Sequence, residues 1–171
     1  MSHQPPSILA VFPGTFDPIT RGHEEMIRRA ARLFDRFIVA VAAGHHKKTL
    51  FTLQERMDMV RGVFADVPQL SVHSFSGLMR DFVVEQGAQV MVRGVRGVTD
   101  FDYEVQLAGM NRKLMPDVET LFMAPGEQYQ HVSSTYVREI ATLGGDVQAL
   151  VSPLVYERLM QRVQQRRSEA L

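Results

Sequence analysis

The chain has 171 residues, 45% of them apolar, and its 19 Lys and Arg are balanced by 19 Asp and Glu. That length suits a single domain with a substantial core, and a net charge of zero argues against a general nucleic-acid binder, whose domain is ordinarily basic. With no cysteine in the chain, disulfides, thiolate metal sites and cysteine nucleophiles are excluded.

Residues 1–6, ending in Pro5-Pro6, have no apolar signal core and read as a loose tail before one domain over 7–171. No stretch approaches the roughly 20 apolar residues of a membrane span, so no membrane partner is expected and the cytoplasm is the default compartment. Strand-type runs follow at 7–12, 37–43, 70–75, 89–93 and 118–123, several of them apolar throughout, as in strands covered on both faces. Helical periodicity lies between them. The 23–34 segment places Met26, Ile27, Ala30 and Phe34 on one stripe. The 53–64 segment follows Thr52 with Glu55 three residues on, a capping-box pattern. Segments 78–85 and 100–115 complete the crossovers. Two C-terminal helices follow: 134–143, stopped by Gly144-Gly145, and 153 to about 166, with Ser152 as N-cap and Pro153 at the first position. This alternation predicts an α/β fold with a doubly wound parallel sheet of five strands. Ligands of such sheets bind outside the carboxyl ends of the strands, so the segments after Phe12, Ala43, Phe75, Val92 and Met123 should meet at one crevice.

The first of those segments, Pro13-Gly14-Thr15-Phe16-Asp17-Pro18-Ile19-Thr20-Arg21-Gly22-His23, carries the most chemistry. Gly14 permits a tight turn and close approach of backbone to ligand. Thr15 offers a hydroxyl and an amide. His23 falls at a helix start, where free N–H groups and the helix dipole favour anions. Lys47 follows the second strand, and Arg93-Gly94-Val95-Arg96 follows the fourth. Guanidinium groups can hold phosphate at two points. The same two arginines could instead make structural ion pairs with Asp100, Asp102 or Glu104. Ser133, Ser134 and Thr135 precede a helix, where capping and phosphate binding are compatible.

The segment from Pro13 to His23 resembles the signature of the nucleotidyltransferases. Thr20 replaces the first His of their usual His-x-Gly-His, and this variant is similar to phosphopantetheine adenylyltransferases. The resemblance extends through Lys47-Lys48, Arg93-Gly94-Val95-Arg96, the family-specific block from Asp100 to Pro116, and Val132-Ser133-Ser134-Thr135. It implies a Rossmann-like nucleotidyltransferase fold and transfer of the adenylyl group of ATP to 4′-phosphopantetheine. The attacking group is already an anionic phosphate, so no protein nucleophile is needed, and catalysis should rest on positioning and electrostatics.

By the same resemblance, His23, Thr15, Lys47 and Arg96 are the expected catalytic residues. Phe16, Gly94, Val95, Glu104, Tyr129, Gln130, His131 and Val132 would join the Ser133–Thr135 turn around ATP, and Met79, Arg93, Asn111 and Glu139 would join Thr15 and Lys47 around the acceptor. Glu104 also reads as an ordinary helix-surface carboxylate. Mg²⁺ is expected to bridge phosphate oxygens with water, without a protein carboxylate cage. The family usually forms a homohexamer, for which Leu107, Met110 and Leu114 could supply an interface, and coenzyme A is the expected feedback inhibitor. Phe12 stands where many relatives have Tyr, and Gly77 where some have Asp. Two other readings remain open: a nicotinate or nicotinamide mononucleotide adenylyltransferase, and a non-catalytic nucleotide-binding module.

Overall fold

The structure, a computed structural model, describes residues 7–44 and 48–169. The segment read as a tail, 1–6, lies outside the described residues, as do His45, His46 and Lys47. In chain order the elements are β1 (Leu9–Gly14), α1 (Arg21–Ala31), β2 (Arg36–Ala42), α2 (Leu53–Val63), β3 (Leu70–Phe75), α3 (Met79–Glu85), β4 (Val90–Gly94), α4 (Val98–Leu114), β5 (Glu119–Met123), a 3₁₀ turn (Glu127–Tyr129), α5 (Ser134–Thr142) and α6 (Pro153–Glu169).

All five strands are parallel, in the order β3-β2-β1-β4-β5. The chain winds outward from β1 through β2 to β3 and then crosses back to β4 on the other side of β1. The split between β1 and β4 is therefore the switch point where such sheets bind ligands.

Alternate residues of the central strands feed two cores. Ala10 and Phe12 of β1 pack with Met26, Ile27, Val60 and Leu159 from α1, α2 and α6. Leu9 and Val11 face the opposite side, with Phe82 and Val83 of α3 and Met91 of β4. Burial on both faces accounts for the nearly continuous apolar runs at Leu9–Gly14 and Arg36–Ala42.

The boundaries differ from the sequence reading in instructive places. β1 runs two residues past Phe12, because Pro13 and Gly14 still pair in register with Ala40 and Val41. Pro13 is tolerated near the strand end, where a missing donor matters least. α1 begins at Arg21, two residues earlier than expected, because Thr20 caps it. α4 begins at Val98, two residues before Asp100. The 3₁₀ turn had no sequence signal of the kind a long periodic helix gives.

Candidate active site

A cleft of about 860 Å³ lies at the carboxyl ends of the strands. Its walls come from the turns after β1, β3 and β4, from α4, and from the first turn of α5. A smaller groove of about 160 Å³ is built mostly from side chains of α2 and α6. The large cleft holds the residues capable of phosphate chemistry.

The turn after β1 is shaped by Phe16, which is 2% exposed and takes a positive φ of 50°. Its ring folds back over Gly14, where a Cβ would meet Phe16 Cζ at 2.8 Å. Gly14 is thus required by the protein's own packing. Phe16 also meets the His23 ring edge-on, with centroids 5.2 Å apart. Thr15 lines the cleft between these groups, and its hydroxyl has no partner among the described residues.

The turn is anchored from below by two buried polar groups. The carboxylate of Asp17 accepts the amides of Leu50 and Phe51 at 2.8 and 2.9 Å. The guanidinium of Arg56, 1% exposed, donates to the carbonyls of Thr15, Ala42, Phe51 and Ala43. Arg56 thereby ties the turn carrying Thr15 to the end of β2. Sequence reading missed it: an arginine inside an amphipathic helix ordinarily marks the solvent face, and only tertiary contacts distinguish this one.

His23 occupies the third position of α1. Its Nδ1 accepts the backbone N–H of Thr20 at 3.2 Å and lies 3.1 Å from the Thr20 hydroxyl. Burial, reinforced by the nearby positive charge of Arg96, lowers the imidazole pKa from 6.5 to about 4. The ring is therefore neutral at physiological pH.

Arg93 and Arg96 reach the same cleft, and both are paired. Arg93 holds Glu104 at two points, 2.7 and 2.8 Å, and also reaches the carbonyl of Pro13 at 3.4 Å. Arg96 contacts Asp100 at 3.2 Å and the carbonyl of Val132 at 3.5 Å. These are the ion pairs the alternative reading named. Both Glu104 oxygens are engaged by Arg93, so this carboxylate orients a cation on the cleft wall.

At the start of α5, each side chain of the Ser motif is occupied. Ser133 caps the helix by accepting the Tyr136 amide, Ser134 donates to the carbonyl of Pro18 at 2.7 Å, and Thr135 accepts from Arg138. Arg138 also donates to the carbonyl of Asp17. These bonds stitch α5 to the turn after β1. With the Tyr136 amide taken by Ser133, the amides of Ser134 and Thr135, which no helical carbonyl can satisfy, are the first-turn donors left open to an anion.

Met79, Gly94, Tyr129 and Val132 also line the cleft. Five expected residues do not. Val95 is spent on the backbone, its amide donating to Met123 at 2.8 Å. Gln130 and His131 are exposed beyond the 3₁₀ turn. Glu139 lies in a separate groove with Lys48, Arg138 and Arg166. Asn111 is buried on α4, and its amide nitrogen has no hydrogen-bond partner among the described residues. Two helical turns separate it from Glu104 on the same face, about 10 Å along the axis. Gly77, with φ +79°, sits in the left-handed region that favours glycine, so an Asp there would strain the turn.

Among the described residues, no group of three or more His, Asp or Glu is placed to hold a metal ion, and no helix is long and apolar enough to cross a membrane.

Residues 11–140 match the cytidylyltransferase-like family. The chain is 64% identical to a phosphopantetheine adenylyltransferase of Acidovorax sp. (strain JS42), over 91% of this chain and 94% of that one. It is 57% identical to the protein of that name from Thiobacillus denitrificans, over 92% and 99%. For the one from Bordetella pertussis the identity is 54%, over 95% and 96%. Among solved structures, a nicotinic acid mononucleotide adenylyltransferase of Plasmodium falciparum, complexed with NaAD, shares the fold. It superposes with a TM-score of 0.65 at 14% identity, covering 93% of this chain and 95% of that one.

Proposed function

The chain belongs to the phosphopantetheine adenylyltransferase family of cytidylyltransferase-like enzymes, and from that premise we propose that its cleft transfers the adenylyl group of ATP to 4′-phosphopantetheine, giving dephospho-coenzyme A and pyrophosphate. A phosphate oxygen of the acceptor forms a bond to the α-phosphorus of ATP. The bond from that phosphorus to the bridging oxygen breaks, and pyrophosphate leaves with the electron pair. The protein's task is to hold two anions together and to stabilise charge growing on the α-phosphate.

The observation that supports this reading is the meeting of Thr15, His23, Arg96 and the first turn of α5 in one cleft. His23 donates from Nε2 toward the α-phosphate. Thr15 and Lys47 orient the incoming phosphate. Arg96 and the α5 amides hold the β- and γ-phosphates, and Gly94 and Tyr129 flank adenine. Arg93, set by Glu104, and Met79 line the acceptor side. The unpartnered amide of Asn111, about 10 Å along α4, suits the pantetheine arm.

The cleft carboxylates Glu104 and Asp100 are engaged by arginines, so we assign Mg²⁺ to the ATP as part of the substrate, held by phosphate oxygens and water. We assign the apolar side chains exposed on α4, Val98, Phe101 and Met110 among them, and Leu121 of β5 to contacts between copies in a homohexamer. Feedback by coenzyme A would act at the same cleft, since it shares the pantetheine arm.

The deciding experiment is pyrophosphate release from ATP with each acceptor in turn. Release that depends on 4′-phosphopantetheine is expected. Release that depends instead on nicotinate mononucleotide, or on neither acceptor, would overturn the reading.

A further inference from the structure

The cap of α1 is chemically unusual. In an ordinary capping box the third helical residue is Glu or Gln, whose side chain accepts from the amide of the cap residue. In this protein that third residue is His23, and the box is closed on both sides by Thr20. An imidazole can accept there only through an unprotonated Nδ1. Two Thr20 groups address that nitrogen, the amide at 3.2 Å and the hydroxyl at 3.1 Å. The hydroxyl already accepts the backbone N–H of His23 at 3.4 Å, so its own proton is available to Nδ1.

The arrangement has little freedom. Thr20 is 2% exposed. The amide of Arg21, next in the chain, is tied to the carbonyl of Leu150 at 2.8 Å. The Phe16 ring packs against the imidazole. A proton on Nδ1 would face a backbone N–H, and a second ring proton would also face Arg96. Nε2 has no hydrogen-bond partner among the described residues.

We propose that Thr20 is a positioning residue: by addressing Nδ1 through its amide and its hydroxyl, it confines the ring proton of His23 to Nε2, the nitrogen left for the cleft. The catalytic consequence rests on the adenylyl-transfer reading above. A neutral Nε2–H donor bonds a phosphate oxygen more strongly as charge builds on it than in ground-state ATP. That difference is what accelerates a chemical step. Thr20 thus serves as both helix cap and tautomer lock.

The two roles separate in Thr20→Asp. Aspartate is as good an N-cap as threonine or better, but its carboxylate can only accept at the Nδ1 edge. The full-length protein, labelled with nitrogen-15 in histidine, is examined at pH 7 by long-range proton–nitrogen correlation. The wild type should show His23 protonated at Nε2 alone. Thr20→Asp should keep a cooperative thermal transition and show a proton at Nδ1. Its kcat should fall at least tenfold, with KM for ATP changed less than about threefold. Thr20→Ser should restore the wild-type ring signal and most of the turnover.

A wild-type ring protonated at Nδ1 overturns the proposal, as does a Thr20→Asp ring that stays protonated at Nε2 alone. So does a Thr20→Asp protein with the altered ring and wild-type turnover. Should Thr20→Asp not fold, Thr20→Val, which removes the hydroxyl with both its donation to Nδ1 and its cap on the His23 amide, should show a mixture of tautomers, and an unchanged ring signal overturns the proposal. The ring measurement requires no substrate. An absence of pyrophosphate release in the wild type would therefore count against adenylyl transfer and leave the role of Thr20 to be decided by the spectrum.

Discussion

The buried guanidinium of Arg56 donates to the carbonyl of Thr15 at 2.7 Å and, through the same nitrogen, to the carbonyl of Ala42 at 2.8 Å. One side chain from α2 thus fixes the turn after β1 against the end of β2. The first carries Thr15 and the second precedes Lys47 in the chain, the two residues proposed above to orient the incoming phosphate.

Arg56→Met should leave these carbonyls buried without donors, at about 1–3 kcal/mol for each. A loss of several kcal/mol is expected in chemical denaturation. Arg56→Lys keeps the charge but lacks the planar fork that reaches four acceptors. In that variant kcat should fall more than stability does, because Thr15 loses its fixed position. Wild-type turnover in a destabilised Arg56→Lys protein would show that the residue serves folding alone.

His23→Ala should lower kcat by about 10²–10³, the usual effect of losing one transition-state donor. ATP binding, measured by calorimetry, should change much less. Near-normal turnover in a folded His23→Ala protein would remove the residue from the mechanism.

Glu104→Gln removes the charge that both sides of the Arg93 fork grip. Arg93 is then free to swing, and the main effect should be a weaker acceptor, seen as a raised KM for 4′-phosphopantetheine. Arg93→Ala should produce the same pattern more strongly. An effect of Glu104→Gln confined to the KM for ATP would favour direct contact of the carboxylate with the nucleotide.

The lowered pKa of His23, about 4 against an ordinary 6.5, sets the sign of a pH effect. As pH falls through 6.5 the unfolded chain takes up a proton that the folded protein refuses. Folding stability from this group is complete above 6.5 and is lost progressively down to about pH 4. The ring borders an open cleft, so the effect is smaller than for a fully enclosed imidazole. In the free protein, the carbon-bound ring protons of His23 should show no titration step between pH 8 and 5. A midpoint near 6.5 would contradict the environment described for the ring.

The apolar face of α4 leads to a measurable expectation about assembly. Met110 and Leu114, 56% and 46% exposed, should be covered in the oligomer. Met110→Glu should lower the solution mass measured by light scattering. An unchanged mass would place the interface elsewhere.

The sequence alone determined much of this protein. Nearly continuous apolar runs and the helical stripe of Met26, Ile27 and Ala30 specified the alternating α/β order, because burial on both faces of a strand and on one face of a helix imposes those patterns. The Pro13–His23 segment located the reactive end of the sheet. The block from Asp100 to Pro116 pointed to the acceptor, and the 54–64% identical relatives carry the name that block suggested. What only the tertiary structure decided was pairing. Whether Arg93 and Arg96 were paired depended on how α4 lies against β4, and the answer is Glu104 and Asp100. The burial of Arg56 depended on four carbonyls contributed by three separate segments. The capping of Thr20 onto His23 has the spacing of a capping box but not its usual residues, so the pattern passed unread. In each case the deciding partner lies across the fold or outside the ordinary residue pattern, and hydrogen-bond satisfaction in a buried site is settled by what surrounds a group in space.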